Sequence, residues 1–339
     1  MKIAFHSNQL GLRGTEVALY DYAHFNETLL HNQSIILSIQ DSPNSDPSAI
    51  KKFTDRFPVF FYSGNFEEVD SILEKEKVDL LYIIDAGKNV GKVSKKVKTV
   101  VHAVFQYHEP HGDVYAYVSE WLSQKMTNGK VPFVPHMVHL PTIHDHLRHQ
   151  FNIPTDAIVF GRYGGMDTFD IYFVRRAIVK IAKKYPHIYF LFMNTPDFVG
   201  KSMYRKKIIN TILTTLWYKK KKYKNILFIS PTSDMIEKTK FINTCDAMLH
   251  ARYQGETFGI ACGEFSIKNK PIITYSGKKC NDRAHINILR EKGIYYQNYN
   301  DLYRILSSFE KKSTKNWDAY SEKYNPAVVM KKFKELFIG

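Results

Sequence analysis

Short apolar runs rich in β-branched residues alternate with stretches of helical spacing along most of this 339-residue chain. In the first half, this pattern predicts strands near residues 3–5, 34–39, 59–62, 79–84, 99–105, 114–118 and 131–134. The run at 99–105 is apolar at consecutive positions, which is typical of a strand buried on both faces of its sheet. Strands that alternate with helices predict βαβ units and therefore a parallel sheet.

The second half repeats the alternation, with predicted strands near residues 157–162, 188–193, 226–229, 247–250 and 271–275. Residues 141–154, between the halves, contain His and Pro and have weak periodicity. The sequence therefore predicts an α/β protein with two Rossmann-like, doubly wound parallel-sheet domains, 1–141 and 142–320, that face a central cleft. A C-terminal helix over 321–339 is expected to pack back toward the N-terminal domain. Ligands of such sheets bind beyond the carboxyl ends of the strands, so the cleft is the expected site.

Composition narrows the class of protein further. The chain is 44% apolar and 14% aromatic, which excludes disorder over its whole length. Its three cysteines form no even disulfide set, its N-terminus has no signal-peptide pattern, and it lacks an apolar run long enough to span a membrane. A cytoplasmic protein is expected.

The formal net charge of +15 comes from lysines that are mostly scattered along the chain. Residues 203–224 combine apolar residues with a run of four lysines, 219–222. Two interpretations stay open for this segment. It is either a peripheral contact with an anionic membrane, or an amphipathic domain helix with lysines at its C-terminal end. The sequence has no recognisable nucleic-acid-binding motif, so no nucleic-acid partner is expected.

Residues 251–275, ARYQGETFGIACGEFSIKNKPIITY, contain the sharpest local pattern. Glu256 lies at a predicted strand-to-helix turn, and Glu264 follows eight positions later on the helix. The free N–H groups of a helix N-terminus, here near Thr257, Phe258 and Gly259, suit a diphosphate. Glu256 would accept sugar hydroxyls, and Glu264 would accept the vicinal hydroxyls of a ribose. The alternative is an ordinary helix start with a dipole-favoured glutamate, followed by a surface glutamate.

This segment resembles the E-x7-E motif of the retaining glycosyltransferases of family 4 (group 1), which have the two-domain GT-B fold. The match includes E-x-F-G from Glu256 to Gly259, the interval to Glu264, and the entry through Lys270 and Pro271 into an apolar strand. The resemblance implies that Glu256 lies beside the donor sugar and that Glu264 binds the nucleotide ribose. It also makes the N-terminal domain the acceptor side and the C-terminal domain the donor side.

Other stretches match the same family in the expected order. MKIAFHSNQLGLRGTEVAL resembles its opening strand, glycine loop and first helix, with Gly11 and Gly14 allowing the backbone to approach phosphate. His102, at the end of a predicted buried strand, resembles the histidine that contacts the transferred sugar, although a lone histidine there also fits a core residue. Arg162, in FGRYGG, resembles the arginine that binds the diphosphate.

One departure concerns the phosphate site. The family usually has a lysine five residues after that arginine, whereas this chain has Asp167. A carboxylate would repel the leaving group. Either Arg252 or another nearby cation supplies the missing charge, or the phosphate site is rearranged, or the enzyme is degenerate.

The resemblance implies a retaining hexosyltransferase that moves a sugar from a UDP- or GDP-sugar to a glycan, lipid-linked or other acceptor. The sequence has no Asp-x-Asp motif, which fits a metal-independent enzyme without a cofactor. His144 and His146 flank Asp145, but no further metal-ligand motif accompanies them. The alternatives are another GT-B enzyme, such as a sugar-nucleotide epimerase, or a non-catalytic sugar-nucleotide binding protein.

Overall fold

A computed structural model of the protein describes residues 1–199, 223–311 and 314–339. Within them, the strands form two parallel six-stranded sheets and a two-stranded one. The predicted α/β class with two Rossmann-like sheets is confirmed. The alternative interpretations of 203–224 concern a segment that lies, apart from its last two residues, outside the described residues.

The N-terminal sheet has the strand order β3-β2-β1-β4-β5-β6. Its strands are β1 (Lys2–Ser7), β2 (Gln33–Ile39), β3 (Val59–Tyr62), β4 (Leu80–Asp85), β5 (Lys98–Ala103) and β6 (Val114–Tyr117). The helices of this half are α1 (Gly14–Thr28), α2 (Pro47–Thr54), α3 (Phe66–Lys75) and α4 (Glu120–Thr127). Strands β1, β4 and β5 are buried over almost their whole length, because helices cover both faces of the sheet.

The C-terminal sheet has the strand order β14-β12-β10-β7-β8-β9. Its strands are β7 (Ile158–Arg162), β8 (Ile188–Met193), β9 (Ile226–Ile229), β10 (Ala247–His250), β12 (Ile272–Tyr275) and β14 (Gly293–Tyr296), and the short strands β11 (Gly255–Glu256) and β13 (Asp282–Arg283) pair with each other. The described helices are α5 (Tyr172–Lys184), α6 (Met235–Thr244), α7 (Ile260–Ile267), α8 (Ala284–Leu289), α9 (Tyr299–Ser307), α10 (Ser321–Tyr324) and α11 (Pro326–Phe333).

Both sheets have the same topology. In each, three strands run outward from the centre, and the chain then returns to the other side of the first strand. The strand order reverses between β1 and β4 in the N-terminal sheet, and between β7 and β10 in the C-terminal sheet. The crevice at such a reversal, beyond the carboxyl ends of the strands, is where doubly wound sheets bind ligands. The loops that follow β1 and β7 therefore start at the place where a ligand is expected.

The C-terminal segment of the chain packs against the N-terminal sheet. Phe333 of α11 stacks on Phe5 and Tyr22, with ring centroids 6.3 Å and 5.3 Å apart. The π-helical turn that follows, Lys334–Ile338, places Phe337 against Tyr82 at 5.7 Å. All five rings are buried, so the end of the chain completes the core of the first half.

The structure departs from the predicted elements at three places. The predicted strand at 131–134 is wrong: these residues form only an isolated bridge between Tyr117 and Phe133, because Pro132 and Pro135 have no N–H group for a ladder. The first helix begins at Gly14, with Arg13 as its N-cap. The helix α2 was not predicted, although Asp46 caps it by accepting from the backbone N–H groups of its first turn.

No helix among the described residues has both the length and the apolar character needed to cross a membrane.

Candidate functional site

The N-termini of α1 and α7 meet across the space between the two sheets. Gly14 is the first residue of α1, and a Cβ atom built on it would lie 3.7 Å from Cδ1 of Ile260, the first residue of α7. Gly259 caps α7 with a φ of 92°, a left-handed conformation that glycine adopts without strain. Both helix ends carry unpaired N–H groups and a partial positive charge. This junction is therefore suited to an anion.

Two cavities share the wall at this junction. The larger, of about 170 Å³, is lined from the N-terminal half by Arg13, Gly14, Thr15, Val104, Phe105 and His136, and from the C-terminal half by Arg162, His250, Arg252, Glu256, Thr257, Phe258, Gly259 and others. The smaller, of about 120 Å³, is lined by Gly11, Glu16, Tyr20, Lys52, Met235, Lys238, Glu264 and others. Gly14, Tyr163, Gly164, Gly165, Ile260 and Ala261 line both cavities. Most of the residues predicted from the sequence are thus brought together.

Glu256 is an ionised carboxylate in the larger cavity. It accepts a hydrogen bond from Arg252 Nη1 at 2.9 Å and one from His250 Nε2 at 3.1 Å. Burial raises its pKa, but the hydrogen bond from His250 and the charge of Arg252 outweigh burial and hold the pKa at about 2. The side chain keeps 23% of its surface exposed. Glu256 therefore presents a fixed negative charge to the cavity at any physiological pH.

A chain of buried groups orients His250 behind Glu256. Because the carboxylate only accepts, His250 Nε2 carries the proton of that hydrogen bond. His250 Nδ1 is hydrogen-bonded to the Thr274 hydroxyl at 2.8 Å, and the same hydroxyl is hydrogen-bonded to His285 Nε2 at 3.1 Å. Burial lowers the pKa of His285 to about 3, so this ring is neutral. The predicted site did not include His250, and the sequence signal for it is its place at the end of β10, directly before the Glu256 turn.

The turn that holds Glu256 is anchored by the side chain of Phe258. Only 2% of Phe258 is exposed, and its ring lies 5.4 Å from His136 and 5.2 Å from Tyr324. Thr257 and Gly259, its neighbours in sequence, line the larger cavity. The packed ring of Phe258 therefore positions the backbone of this turn at the cavity.

Glu264 lies in the smaller cavity and is paired with a lysine. Lys238 Nζ, from α6, donates to Glu264 Oε1, and both side chains are at least nine-tenths buried. Glu264 Oε2 has no protein partner among the described residues. Burial and the nearby Asp21 raise the pKa of Glu264 well above its usual range, while burial lowers the pKa of Lys238 to about 8. Lys238 was not predicted, because the sequence does not show which residue of another helix faces Glu264.

Glu16, from α1, is a second buried carboxyl group in the same cavity. Its Oε1 accepts from Ser7 Oγ at 3.2 Å and from Gln9 Nε2 at 3.0 Å, and its Oε2 has no partner among the described residues. Burial raises the pKa of Glu16 to about 7, although the bond from Ser7 opposes this. Gly11 borders the same cavity, and a Cβ atom on it would lie 2.7 Å from the Asn44 carbonyl oxygen. The close approach that requires glycine at this position is therefore to the protein's own backbone.

Arg162 is in the larger cavity, but its hydrogen bonds go to the protein. Nη1 donates to the Asn194 carbonyl and to Thr195 Oγ1, and Nη2 donates to the Gly165 carbonyl and to Thr168 Oγ1, at 2.5–3.1 Å. Burial lowers its pKa to about 10, so the guanidinium stays charged. Arg162 thus joins the loops that follow β7 and β8, and its role at a donor diphosphate stays a prediction.

His102 is not brought to the cleft. It is 0% exposed, its Nε2 donates to the Val134 carbonyl at 2.8 Å, and its Nδ1 accepts from the Tyr82 hydroxyl at 2.6 Å. Burial lowers its pKa to about 4. The predicted contact with a sugar is therefore wrong in this arrangement, because both ring nitrogens are used inside the N-terminal core. His136, whose ring lies 5.7 Å from that of His102, lines the larger cavity instead.

Within the described ranges, no group of three or more His, Cys, Asp and Glu side chains is placed to hold a metal ion. The site contains cations of its own, since Arg13, Arg162 and Arg252 all line the larger cavity.

No family model matches the sequence, and no curated protein matches it either. Solved structures match nearly the whole chain. HepE from Anabaena in complex with UDP-glucose has a TM-score of 0.68 at 14% identity, covering 99% of this chain and 98% of its own. A glycosyltransferase from Rickettsia africae ESF-5 has a TM-score of 0.67 at 14% identity, covering 99% and 97%. WaaG, a glycosyltransferase involved in lipopolysaccharide biosynthesis, has a TM-score of 0.64 at 12% identity, covering 99% and 100%. At these identities the similarity shows the fold, and the predicted GT-B architecture is confirmed.

Proposed function

We propose that this protein is a glycosyltransferase that takes a sugar from a nucleoside diphosphate and passes it to an acceptor bound on the N-terminal side of the cleft. One observation carries the proposal: two helix N-termini converge between a cavity with an ionised carboxylate, Glu256, and a cavity with a buried carboxyl group, Glu264. A sugar nucleotide has the same three parts, with a diphosphate between two groups rich in hydroxyls.

The donor fits the two cavities in one direction. The ribose lies in the smaller cavity, where the unpartnered Glu264 Oε2 accepts from its hydroxyls. The diphosphate lies at the shared wall, against the N–H groups at Gly14 and Ile260. The sugar then lies in the larger cavity beside Glu256. A uridine nucleotide is the first candidate, because HepE, which shares this fold, was solved with UDP-glucose.

The arrangement supplies what cleavage of the donor needs. As the bond to the diphosphate breaks, negative charge grows on the phosphates and positive charge grows at the anomeric carbon. Fixed helix dipoles and the arginines of the larger cavity stabilise the negative charge on the phosphates. The ionised Glu256 stabilises the positive charge at the anomeric carbon. The resemblance of the Glu256–Glu264 motif supports a retaining reaction, and the cations of the site support one that needs no metal ion. The acceptor in this proposal is a glycan or a lipid-linked sugar.

Thermal unfolding with UDP, GDP and their glucose and mannose conjugates, in the presence of a chelator, tests the donor site. A ligand at one hundred times its Kd stabilises the folded state by about 2.7 kcal/mol. We expect a clear increase in Tm with one nucleoside diphosphate and its conjugates. Glu264→Ala removes this increase, whereas Glu310→Gln, a change at an exposed glutamate, leaves it intact. A well-folded protein whose Tm responds to none of these ligands contradicts the proposal.

A further inference from the structure

We propose that Arg13 supplies the mobile positive charge for the donor diphosphate, and that Asp167 holds Arg13 across the cleft while the site is empty. This inference rests on the proposed function, and it assigns one residue to each role. The geometry behind it is a single ion pair between the two halves: Arg13 Nη2 lies 3.4 Å from Asp167 Oδ1.

The two residues occupy equivalent places in the two sheets. Arg13 ends the loop after β1 and directly precedes α1, and Asp167 lies in the loop after β7. Both loops follow the strand at which the order of their sheet reverses. Arg13 also lines the larger cavity together with Gly14, the first residue of α1. Arg13 is therefore next in sequence to Gly14, a residue of the shared wall at which the diphosphate is placed.

The three arginines of this cavity differ in their freedom to change partners. Arg162 is buried and gives two hydrogen bonds to the loop after β7 and two to the loop after β8. Arg252 is bonded to Glu256, and its charge helps His250 to lower the pKa of that carboxyl group. Arg13 has an exposed partner, since the two side chains of its ion pair are 57% and 67% exposed. Among the arginines that line the cavity, Arg13 can therefore leave its carboxylate at the lowest cost.

The energies favour an exchange when a diphosphate arrives. An exposed ion pair contributes little to stability, because water screens both charges. A guanidinium that binds phosphate in a bidentate manner makes charge-assisted hydrogen bonds about twice as strong as neutral ones. A diphosphate also carries more charge than one carboxylate, and the two helix N-termini already attract it. Arg13 therefore moves from Asp167 to the phosphate, and the exchange also explains an acidic residue beside a phosphate site.

A simple latch is the competing explanation. In a latch, the ion pair only holds the two halves together, and either partner can be removed with the same result. In an exchange, the two residues act in opposite directions, because Arg13 binds the phosphate and Asp167 competes with it. The sign of the effect of each substitution therefore separates the two explanations.

Calorimetric titration with UDP and with uridine tests the exchange, because uridine lacks the phosphates. We expect Arg13→Gln to weaken UDP binding about tenfold, as for the loss of one charged hydrogen-bonding contact, and to leave uridine binding unchanged. Asp167→Asn is expected to strengthen UDP binding about threefold, because it removes a weak competitor for Arg13. Arg13→Gln combined with Asp167→Lys is expected to restore UDP binding toward the wild-type value. Arg304→Gln, at an exposed arginine on α9, is the matched control and leaves both affinities unchanged.

Three results overturn the assignment. Equal weakening of UDP binding by Arg13→Gln and Asp167→Asn indicates a latch. Equal loss of UDP and uridine binding in Arg13→Gln indicates a general disturbance of the cleft. Wild-type affinity for UDP in Arg13→Gln removes Arg13 from the phosphate site and leaves the proposed function intact, whereas a wild-type protein that binds no nucleotide overturns both.

Discussion

The two cavities of the cleft hold glutamates in opposite electrostatic states. Glu256, in the larger cavity, has a pKa of about 2, because His250 and Arg252 donate to it. Glu264 and Glu16, in the smaller cavity, have raised pKa values, because burial dominates there. All three are the same amino acid, so the difference comes from their surroundings: the bond from His250 and the charge of Arg252 outweigh burial at Glu256, whereas burial outweighs the lowering contacts at Glu16 and Glu264. The larger cavity is built to offer a charge, and the smaller one to offer hydrogen-bond acceptors.

The largest effects are expected from replacing Glu256 and Glu264 by glutamine. These two variants test most directly whether the glutamates of the two cavities differ in role. Glu256→Gln removes a charge that the proposed reaction uses, and we expect a loss of about 100-fold in the rate of sugar transfer, in the range of a lost electrostatic contact. Glu264→Gln keeps a hydrogen-bonding group of the same size, so its rate should fall less than about fivefold, because at most one hydrogen bond changes. Steady-state kinetics with the donor found by thermal unfolding gives both values. Equal losses in the two variants would show that the ionisation states do not divide the roles.

Removing the lysine partner tests the smaller cavity by itself. Lys238→Met leaves the buried Glu264 carboxyl group without its hydrogen-bond donor, and we expect the free energy of unfolding to fall by up to about 3 kcal/mol. The double change Lys238→Met with Glu264→Met replaces both by apolar groups and should recover most of this loss. Lys240→Met is the matched control on α6, because its ion pair with Glu237 is partly exposed and contributes less than about 1 kcal/mol. Urea denaturation measures all three, and a loss in Lys238→Met no larger than in the control would contradict the buried pair.

The pH dependence of stability gives a smaller effect with opposite signs for the two cavities. The folded pKa of Glu16, about 7, exceeds the ordinary glutamate value of 4.5. The folded state therefore holds a proton that the unfolded state has released, and stability falls as the pH rises from about 4.5 to 7. The folded pKa of Glu256, about 2, is depressed, so its contribution is present above pH 4.5 and is lost as the pH falls toward 2. The difference in unfolding free energy between each Gln variant and the wild type should change by up to about 3 kcal/mol across its window. A flat difference for Glu16→Gln would mean that the carboxyl group is solvated in the folded protein.

Much of the fold was predictable because parallel strands buried on both faces leave a local signal. The strands at 59–62, 188–193, 226–229 and 247–250 have the predicted bounds. The Glu256 turn was predictable for a similar reason, since its glycine and its helix start are adjacent in sequence. The strand at 131–134 failed because hydrophobicity outweighed two prolines in the prediction.

The errors within the site have a different cause, which is distance along the chain. Glu264 and Lys238 are 26 residues apart, and the pairing of their helices decides that they meet. His102 lies at the end of a buried strand as predicted, yet the sequence does not show on which side a residue of such a strand points when both sides are apolar. Residues that act through partners on another element, such as His136 and Glu16, were missed for the same reason.

The return of the C-terminal segment to the first sheet has a consequence for how this protein can be divided. The polypeptide passes between the halves twice, once near residues 141–154 and once shortly before α11. An N-terminal half produced as a separate fragment would lack Phe333, and the rings of Phe5 and Tyr22 on which it stacks would be open to water. Any separation of the two halves has to change the backbone at both crossings. We therefore expect the first sheet to need the end of the chain to complete its core, although the architecture contains two copies of one sheet.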